Sequence, residues 1–474
     1  MMENADIGLI GLAVMGQNLV LNMCDHGFKV VVFNRTLSKV DLFVQGVAKN
    51  SHVIGTYSLI ELVARLKRPR IVMILIHAGG GVDDIISELV SLLEEGDLII
   101  DGGNSHYLDS ERRCKSLEKK RMFFVGAGIS GGEQGARYGP SIMVGGALEG
   151  WRIVKPILQS IAAKFEGEEP CCNYVGTRGA GHYVKMIHNG IEYGEMQMIC
   201  EAYHILSSLC FSFDEIAHIF ETWNKGKLGS YLIEITGKIF KHKDKDGTRL
   251  VENILDVAGQ KESGKWMEID AFDLGIPATV TGEAVFARFL STFKEQRVKL
   301  SRFFPKENRS CIEDREGLVE EIYQALYAAK IICYVQGFIL MQAAAKEMGW
   351  DLDYSSIAQI WRNGCIIRSA LLGEIKRAFD NNRHLENLLL DDFFKDEILQ
   401  MEKGWRRAVV HAAEYRIPIP CLSSALAFFD GCCSEKLPIN LLQAQRDFFG
   451  AHTYERIDRP RGTFFHTHWG EQGS

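Results

Sequence analysis

Short apolar runs alternate with amphipathic stretches through the first third of the chain. Between the runs, apolar residues recur with helical spacing, as in residues 59–67 and 82–93. The runs that predict buried strands are residues 7–11, 29–34, 70–76, 97–101 and 122–126. This alternation is typical of βαβ units around a parallel sheet.

Helical periodicity replaces the strand-like runs after a glycine-rich break at residues 175–181. We therefore expect an α/β domain of the Rossmann type over residues 1–178 and a large all-α domain over residues 179–435. The remainder, residues 436–474, is rich in aromatic side chains, histidines and arginines but has little apolar periodicity. It is predicted to be a tail that packs on something else.

The helical region contains a weak internal repeat. Residues 184–197 align with residues 329–342, and residues 223–226 align with residues 361–364. A duplicated helical half-domain is the simplest account of this similarity.

Composition narrows the class of protein. The chain has 474 residues, of which 46% are hydrophobic and 24% charged, which excludes extended disorder. A net charge of -7 offers no bulk attraction to nucleic acids or anionic membranes, so neither is an expected partner. The N-terminus lacks signal-peptide features, and we expect a cytoplasmic protein. The cysteines show no metal-ligand spacing, which predicts reduced structural thiols and no bound metal.

The first strand runs into Gly-Leu-Ala-Val-Met-Gly at residues 11–16, a form of the dinucleotide fingerprint. Gly11 permits a tight turn, Gly16 permits close helix–strand packing, and the helix N-terminus then faces a pyrophosphate. The second strand ends in Asn34, Arg35 and Thr36, where NAD-binding chains carry an acid. A guanidinium suits a 2′-phosphate, so NADP is favoured over NAD. A merely solvated Arg35 is the alternative.

Two glycine-rich loops are predicted at the carboxyl ends of strands, where open α/β sheets hold ligands. They cover residues 101–104 and 126–132, and the second opens a run of glycines that extends to Gly146. We interpret this density as the approach of backbone N–H groups to an anionic ligand. A flexible turn is the alternative.

A polar stripe is predicted on the helix that begins near residue 181. Taking Lys185 as zero, His188 falls at about −60°, Asn189 at about +40° and Glu192 at about −20°. A Lys/Glu stripe is normally a solvated face. The aligned repeat keeps a lysine, Lys330, but none of the other three polar residues. That difference favours a functional stripe, in which lysine and glutamate serve as base and acid.

Seven blocks, taken in order, carry a resemblance that covers essentially the whole chain. They are residues 11–16, 34–36, 101–104, 130–132, 185–193, 282–288 and 445–452. In these blocks the chain resembles the family of decarboxylating 6-phosphogluconate dehydrogenases.

The resemblance implies oxidation of 6-phospho-D-gluconate by NADP and loss of carbon dioxide to give ribulose 5-phosphate, in the oxidative branch of the pentose phosphate pathway. In that scheme Lys185, initially neutral, takes the proton of the 3-hydroxyl while hydride leaves C3. Protonated Lys185 then returns its proton as the enediol forms, and Glu192 protonates C1.

The resemblance also implies three binding sets. The sugar acid is held by Asn104, Ser130, Gly131, Gly132, His188 and Asn189. Its phosphate is held by Tyr193, Lys261 and Arg288, together with Arg446 and His452 from the tail of the neighbouring subunit in a homodimer. The cofactor is held by Gly11, Leu12, Ala13, Val14, Met15, Gly16, Asn34, Arg35, Thr36, Ile76, His77, Ala78 and Asn104. Taken singly, the phosphate candidates look like surface or ion-paired charges.

The sequence departs from the family pattern at five positions. The family usually has Lys at His77, Pro at Val144, Glu at Lys227, Asp at Gly229 and Asn at His468. None replaces an acid, a base or a phosphate ligand. We therefore expect effects on cofactor affinity and loop geometry, with the reaction retained.

Two alternatives remain open. One is a β-hydroxyacid dehydrogenase of the 3-hydroxyisobutyrate type, which shares the fingerprint and the helix lysine but does not decarboxylate. The other is an NADPH-binding sensor or scaffold without turnover. The first fits the duplicated helical half less well, and the second fits the intact polar stripe less well.

Overall fold

A computed structural model describes residues 4–167, 169–259, 262–305 and 312–470. Its contacts separate a unit comprising Met1–Ala425 from a second, Leu426–Ser474. The strands of the described residues are β1 (Ile7–Ile10), β2 (Val30–Phe33), β3 (Val53–Gly55), β4 (Ile71–Ile74), β5 (Leu98–Asp101), β6 (Phe123–Ser130), β7 (Ser141–Gly146), β8 (Lys164–Phe165), β9 (Glu169–Pro170), β10 (Cys172–Gly176), β11 (Tyr454–Glu455) and β12 (Phe464–Phe465).

Eight of these strands form one sheet in the order β10-β7-β6-β5-β4-β1-β2-β3. Neighbouring strands are parallel, except that β6 and β7 are antiparallel. The stretch from β3 to β6 has the strand order of dinucleotide-binding sheets, and the direction of winding reverses between β1 and β4. Ligands bind such sheets at the carboxyl ends of the strands beside that reversal.

Two apolar layers cover the sheet, one on each face. Alternation along β2 sends Val30 and Val32 into one layer and Val31 into the other. The same period of two operates in β5, where Ile99 faces away from Leu98 and Ile100. The five predicted strands are confirmed, whereas β3, β7 and β10 were missed because each is short or interrupted by glycine.

Helices make up most of the remaining described structure; the last of them lies in the second unit, and the one before it crosses the boundary after Ala425. In chain order they are α1 (Val14–Asp25), α2 (Ser38–Gln45), α3 (Leu59–Ala64), α4 (Gly80–Val90), α5 (Tyr107–Glu118), α6 (Gly132–Tyr138), α7 (Leu148–Ile161), α8 (Ala180–Ser208), α9 (Phe213–Trp223), α10 (Tyr231–Lys241), α11 (Leu250–Asn253), α12 (Glu262–Leu274), α13 (Thr279–Ser291), α14 (Lys294–Phe303), α15 (Arg315–Met348), α16 (Tyr354–Trp361), α17 (Leu371–Asn381), a 3-10 turn at Leu388–Leu390, α18 (Asp392–Glu414), α19 (Pro420–Cys432) and α20 (Ile439–Gly450). The predicted fold, a Rossmann-type domain followed by helices, is confirmed. The predicted boundaries at 178 and 435 stay predictions.

The repeated segments lie on α8 and α15, which pack against each other. Each long helix is followed by a shorter one that ends in tryptophan, α9 at Trp223 and α16 at Trp361. By length and composition α15 could cross a membrane, but 83% of its most apolar window is buried in the protein. That burial is typical of a core helix.

Helix α8 packs directly on β6 and β7 because glycines remove the side chains between them. A Cβ on Gly181 would lie 2.4 Å from the Gly145 nitrogen and 2.5 Å from the Gly126 oxygen. A Cβ on Gly128 would lie 2.4 Å from the Cβ of Lys185. The interpretation of this glycine run as a ligand cradle is therefore wrong at these positions, where the glycines admit a helix.

The second unit is organised around one carboxylate, that of Asp447 on α20. It accepts hydrogen bonds from the Thr453 nitrogen (3.0 Å), His466 Nδ1 (2.9 Å), the Thr467 nitrogen (3.0 Å) and Trp469 Nε1 (2.8 Å). Desolvation opposes the charge, but these donors outweigh it and lower the pKa of Asp447 to about 2. The β11–β12 hairpin is thereby tied to α20.

The cysteines are mostly buried and free, among them Cys24, Cys114 and Cys172. Cys210 is disulfide-bonded, so the expectation of reduced thiols is wrong for that residue. The residues that the structure describes contain no group of three or more His, Cys, Asp or Glu side chains arranged to hold a metal ion.

Replacing Gly181 by alanine should lower the free energy of unfolding by about 1–3 kcal/mol or more, because backbone atoms of the sheet cannot yield to the new methyl group. Denaturant unfolding measures this loss. Gly431→Ala is the matched control, since nothing lies within 4 Å of its Cβ position on α19. Equal stability of the Gly181→Ala variant and the wild type would show that α8 is not in close contact with the sheet.

Candidate active site

The β1–α1 turn has the geometry of a dinucleotide site. Gly11 has a φ of 111°, and a Cβ there would lie 2.3 Å from the Leu75 oxygen. A Cβ on Gly16 would lie 2.0 Å from the Gly11 oxygen. The helix that follows begins at the exposed Val14, and Ala13 before it provides no side-chain cap. The first N–H groups of α1 therefore stay open to an anion.

The end of β2 is tied to this turn. Asn34 Oδ1 accepts a hydrogen bond from the Leu12 nitrogen (3.0 Å), and Asn34 Nδ2 donates to the Thr36 oxygen (3.0 Å). Arg35 and Thr36 are exposed beside it. The structure thus places the predicted 2′-phosphate residues next to the fingerprint turn.

Two further loops project from the same edge of the sheet. Ile76, His77 and Ala78 follow β4, and His77 Nδ1 lies 2.9 Å from the Ala78 oxygen. Asn104 follows β5 and is exposed. Its loop is anchored by the buried Asp101, which accepts hydrogen bonds from the Gly103 nitrogen and from Ser105 Oγ.

The polar stripe of α8 is buried and points at the end of β6. Lys185 is 6% exposed and His188 is 0% exposed. His188 Nε2 lies 3.1 Å from Ser130 Oγ, and its Nδ1 lies 3.4 Å from Lys185 Nζ, 3.2 Å from Asn189 Oδ1 and 3.8 Å from Glu192 Oε2. The stripe is therefore not a solvated face, and His188 is at the centre of its contacts.

The surroundings of His188 favour the neutral form of its imidazole. Burial lowers its pKa well below the ordinary histidine value, Lys185 in its protonated form lowers it further, and only the hydrogen bond with Asn189 opposes them. A neutral ring keeps a nitrogen available for a hydroxyl partner such as Ser130.

The structure adds partners that the sequence did not single out. Asn189 Nδ2 donates to Ser263 Oγ on α12 (3.0 Å). The ring of Trp361 meets the His188 ring edge-on, with centroids 5.8 Å apart. The oxygen of Gly364 would lie 2.4 Å from a Cβ on Gly131. Trp361 and Gly364 belong to the repeated tetrapeptide of residues 361–364. That internal repeat is the sequence signal that could have pointed to them as partners of this cluster.

Tyr193 and Arg288, two of the predicted phosphate ligands, are in contact with each other. The Arg288 guanidinium lies over the Tyr193 ring, 3.5 Å from its centroid. A Cβ on Gly264 would lie 2.6 Å from Tyr193 Cδ2, so the ring packs on the first turn of α12. Lys261 lies outside the described residues. Gly132, by contrast, has nothing within 4 Å of its Cβ position and borders open space.

Arg446 and His452 belong to the second unit. Arg446 Nη1 donates to Gln443 Oε1 (3.1 Å) on α20. The His452 ring meets Phe449 edge-on, with centroids 5.8 Å apart. Both residues flank Asp447, whose hydrogen bonds fix this end of α20.

Lys330, the repeat counterpart of Lys185, has a different environment. Its Nζ lies 3.1 Å from Glu195 Oε2, and the two side chains are 4% and 2% exposed. Tyr334 donates a further hydrogen bond to Glu195 (2.8 Å). Lys330 is thus half of a buried ion pair that joins α15 to α8.

Four of the five departures from the family pattern lie in the following surroundings. Lys227 donates to both oxygens of Glu397 (2.7 and 2.8 Å). A Cβ on Gly229 would lie 2.9 Å from the Asn224 oxygen, so this turn as it stands accommodates glycine only. Val144 is buried in the core of the sheet, and the His468 ring contacts that of His466.

Two family models together cover nearly the whole chain. The model described as the NAD binding domain of 6-phosphogluconate dehydrogenase matches residues 6–176, and the model of the 6-phosphogluconate dehydrogenase C-terminal domain matches residues 181–469. The chain belongs to the 6-phosphogluconate dehydrogenase family. The resemblance inferred from the motifs is confirmed, and so is the expectation of an enzyme.

Members of this family from distant organisms match the chain along its length. The decarboxylating 6-phosphogluconate dehydrogenase of Homo sapiens is 55% identical over 474 residues, which is 100% of this chain and 98% of that protein. The Haemophilus influenzae enzyme of the same name is 54% identical with the same coverage. The Plasmodium falciparum 6-phosphogluconate dehydrogenase, solved apo, with its cofactor NADP+ and with its substrate 6-phosphogluconate, superposes with a TM-score of 0.95 at 46% identity, covering 98% of this chain and 100% of that one.

Lowering the pH should reduce the free energy of unfolding of the wild-type protein more than that of a His188→Gln variant. The folded pKa of His188 is lowered, so its contribution to stability is complete above the unfolded value of about 6.5 and is lost as pH falls below it, by up to about 1.4 kcal/mol per pH unit. Denaturant unfolding at several pH values measures the difference. Ile187→Val, a buried and non-titrating change on the same helix, should show no such trend. A difference independent of pH would contradict a neutral, buried His188.

Proposed function

We propose that this protein converts 6-phospho-D-gluconate and NADP to D-ribulose 5-phosphate, carbon dioxide and NADPH, in the cytoplasm and in the oxidative branch of the pentose phosphate pathway. The observation that carries the proposal is the buried cluster around His188, which joins Lys185 of α8 to Ser130 at the carboxyl end of β6. A lysine with this burial beside a neutral histidine suits proton transfer to and from a substrate hydroxyl.

The residues at the sheet edge fit NADP. The backbone at Gly11 and Gly16 leaves no room for side chains, and the open N-terminus of α1 suits a pyrophosphate. In this proposal Leu12, Ala13, Val14 and Met15 line the turn, and Asn34, Arg35 and Thr36 bind the 2′-phosphate. Ile76, His77, Ala78 and Asn104 line the other half of the cofactor. When bound, NADP supplies the acceptor for the hydride that leaves C3.

Lys185 acts twice in the proposed reaction. As a neutral amine it takes the proton of the 3-hydroxyl while the C3–H bond breaks, which gives a 3-keto acid. As an ammonium it then donates that proton to the carbonyl oxygen while the C1 carboxylate leaves as carbon dioxide. The proton thus moves out and back over one short path, and Lys185 ends the cycle as it began.

Glu192 completes the reaction by protonating C1 of the enediol, while the hydroxyl at the former C3 loses its proton to solvent and becomes the carbonyl of ribulose 5-phosphate. Its carboxylate lies 3.8 Å from His188 Nδ1 and its side chain is 21% exposed, so it can recover a proton from solvent between turnovers. Ser130, Gly131, Gly132, His188, Asn189 and Asn104 hold the sugar acid. Ser263 fixes the amide of Asn189 and so orients one of these contacts.

The phosphate site is proposed to be shared between subunits of a homodimer. Tyr193, Arg288 and Lys261 supply one side, and Arg446 and His452 of a neighbouring subunit supply the other. The second unit exposes large apolar side chains, including Phe448, Phe449 and Phe464, as a segment that packs on a partner would.

The direct test supplies purified protein with 6-phosphogluconate and either NADP or NAD, following reduced nicotinamide by absorbance and carbon dioxide by trapping. We expect reduction of NADP with one carbon dioxide for each NADPH. Reduction without carbon dioxide would favour the plain β-hydroxyacid dehydrogenase. No reduction, with NADPH still bound, would favour the sensor.

Lys185→Met and Lys330→Met should have opposite effects. We expect the first to lower kcat by about 10²–10⁴ with little change in stability, because it removes the base and acid. The second leaves the Glu195 carboxylate buried without its cationic partner and should lower the free energy of unfolding by about 3–5 kcal/mol. Its folded fraction should keep near-normal kcat. The reverse pattern in steady-state kinetics and denaturant unfolding would refute the assignment of roles.

Mixed dimers test whether the tail acts across subunits. Lys185→Met and Arg446→Met proteins should each be weakly active, and co-refolding them should restore about a quarter of wild-type activity, since half of the dimers would carry one intact site. Co-refolding each variant with itself is the control. No recovery in the mixture, with heterodimers demonstrated, would place Arg446 in its own subunit's site or in none.

A further inference from the structure

Arg113 is a buried guanidinium on α5, with a side chain 1% exposed. It donates to both carboxylate oxygens of Asp83 (2.9 and 3.1 Å), to the Gly79 oxygen (3.2 Å), to Asp101 Oδ2 (3.0 Å) and to Ser105 Oγ (3.2 Å). A guanidinium has five N–H donors, so each one has an acceptor.

Two of these acceptors, Gly79 and Ser105, lie in different loops at the carboxyl edge of the sheet, while Asp83 lies on α4 and Asp101 ends β5. Gly79 closes the loop of residues 76–79 between β4 and α4. Asp101 ends β5 and anchors the loop of residues 102–105 by accepting from the Gly103 nitrogen (3.0 Å) and Ser105 Oγ (2.6 Å). One side chain therefore connects the loop with His77 to the loop with Asn104.

The topology indicates which half of the cofactor these loops would meet. A sheet of this order is built from two mononucleotide-binding halves. The half comprising β1 to β3 carries the fingerprint turn and Arg35, which face the pyrophosphate and the 2′-phosphate of the adenosine. The half comprising β4 to β6 carries the two loops that Arg113 connects, so it faces the nicotinamide nucleotide.

We propose that Arg113 is a positioning residue that sets the spacing of these two loops and so forms the nicotinamide half of the binding site. The proposal rests on the proposed function, which supplies the cofactor. Because Arg113 is buried and its five donors are used within the protein, it acts through the two loops. Lysine could not replace it, because one ammonium with three donors cannot span acceptors on three sides.

The adjacent Arg112 provides a matched control. It too donates to both oxygens of Asp83 (3.0 and 2.9 Å), and it donates to Asp109 (3.1 Å), but its side chain is 57% exposed. Hydrogen bonds from both arginines, chiefly Arg113, lower the pKa of Asp83 to about 2, so this carboxylate stays charged. Arg112 shares the anchor of Arg113 but not its bonds to the loops.

The experiment compares the binding of NADPH with that of adenosine 2′,5′-bisphosphate, a probe that occupies only the adenosine half. Calorimetric titrations use the wild-type, Arg113→Lys and Arg112→Lys proteins. We expect Arg113→Lys to raise the Kd for NADPH at least about tenfold, the effect of losing charge-assisted hydrogen bonds, and to leave the Kd for the bisphosphate within about twofold. Arg112→Lys should change neither Kd by more than about twofold.

Three results would overturn the proposal. Equal weakening of both ligands by Arg113→Lys would indicate general damage to the domain, and unchanged NADPH binding would show that the loops do not need Arg113. A wild-type protein that binds neither ligand would overturn the proposed function, and this inference with it.

If the Arg113→Lys variant does not fold, the same titrations with a Ser105→Ala variant test the proposal. This substitution removes one contact of the same network with little change in volume. We expect it to weaken NADPH binding by about threefold to fivefold and to leave bisphosphate binding unchanged. An unchanged Kd for NADPH in that variant would equally overturn the proposal.

Discussion

The seating of α8 directly on β6 is the constraint on which the rest of the structure depends. A strand presents every second residue to one face, and a helix presents residues three or four apart, so the two elements can match position by position. Positions 126, 128 and 130 of β6 meet positions 182, 185 and 188 of α8. The first two strand positions are glycine and leave room for the side chains of His182 and Lys185. The third is Ser130, whose hydroxyl meets His188 where the strand ends and the site begins.

The duplicated helical half places two equivalent lysines in different environments. Lys185 and Lys330 occupy equivalent positions on α8 and α15, and both are buried. Lys330 pairs with Glu195 and contributes to helix packing. Lys185 stands beside a histidine that burial keeps neutral, at the edge of the sheet where ligands bind. The two equivalent lysines are therefore distinguished by their surroundings and not by the lysine itself.

The parts of the site that could be predicted from the sequence are those that depend on residues close together in the chain. The turn from Gly11 to Gly16 and the stripe of α8 depend on spacing within one segment. The glycines of β6 and β7 were misinterpreted because their contacts lie on α8, far along the chain. The contacts of Arg113 could not be predicted for the same reason, since its partners come from two loops and a helix that only the folded sheet brings together. The hydrogen bond between Asn189 and Ser263 depends on the packing of α12 beside α8, which spacing within one segment does not show.

The central claim is that the glycine-lined seat of α8 holds Lys185 in its working position. It is tested most directly by the turnover of a Gly128→Ala variant at a temperature where that variant is folded. A Cβ at this position would lie 2.4 Å from the Cβ of Lys185, so the lysine must shift. We expect kcat to fall about a hundredfold or more, the usual effect of misplacing a reacting group by about 1 Å, while NADPH binding stays nearly unchanged. A folded variant with wild-type kcat would contradict the account.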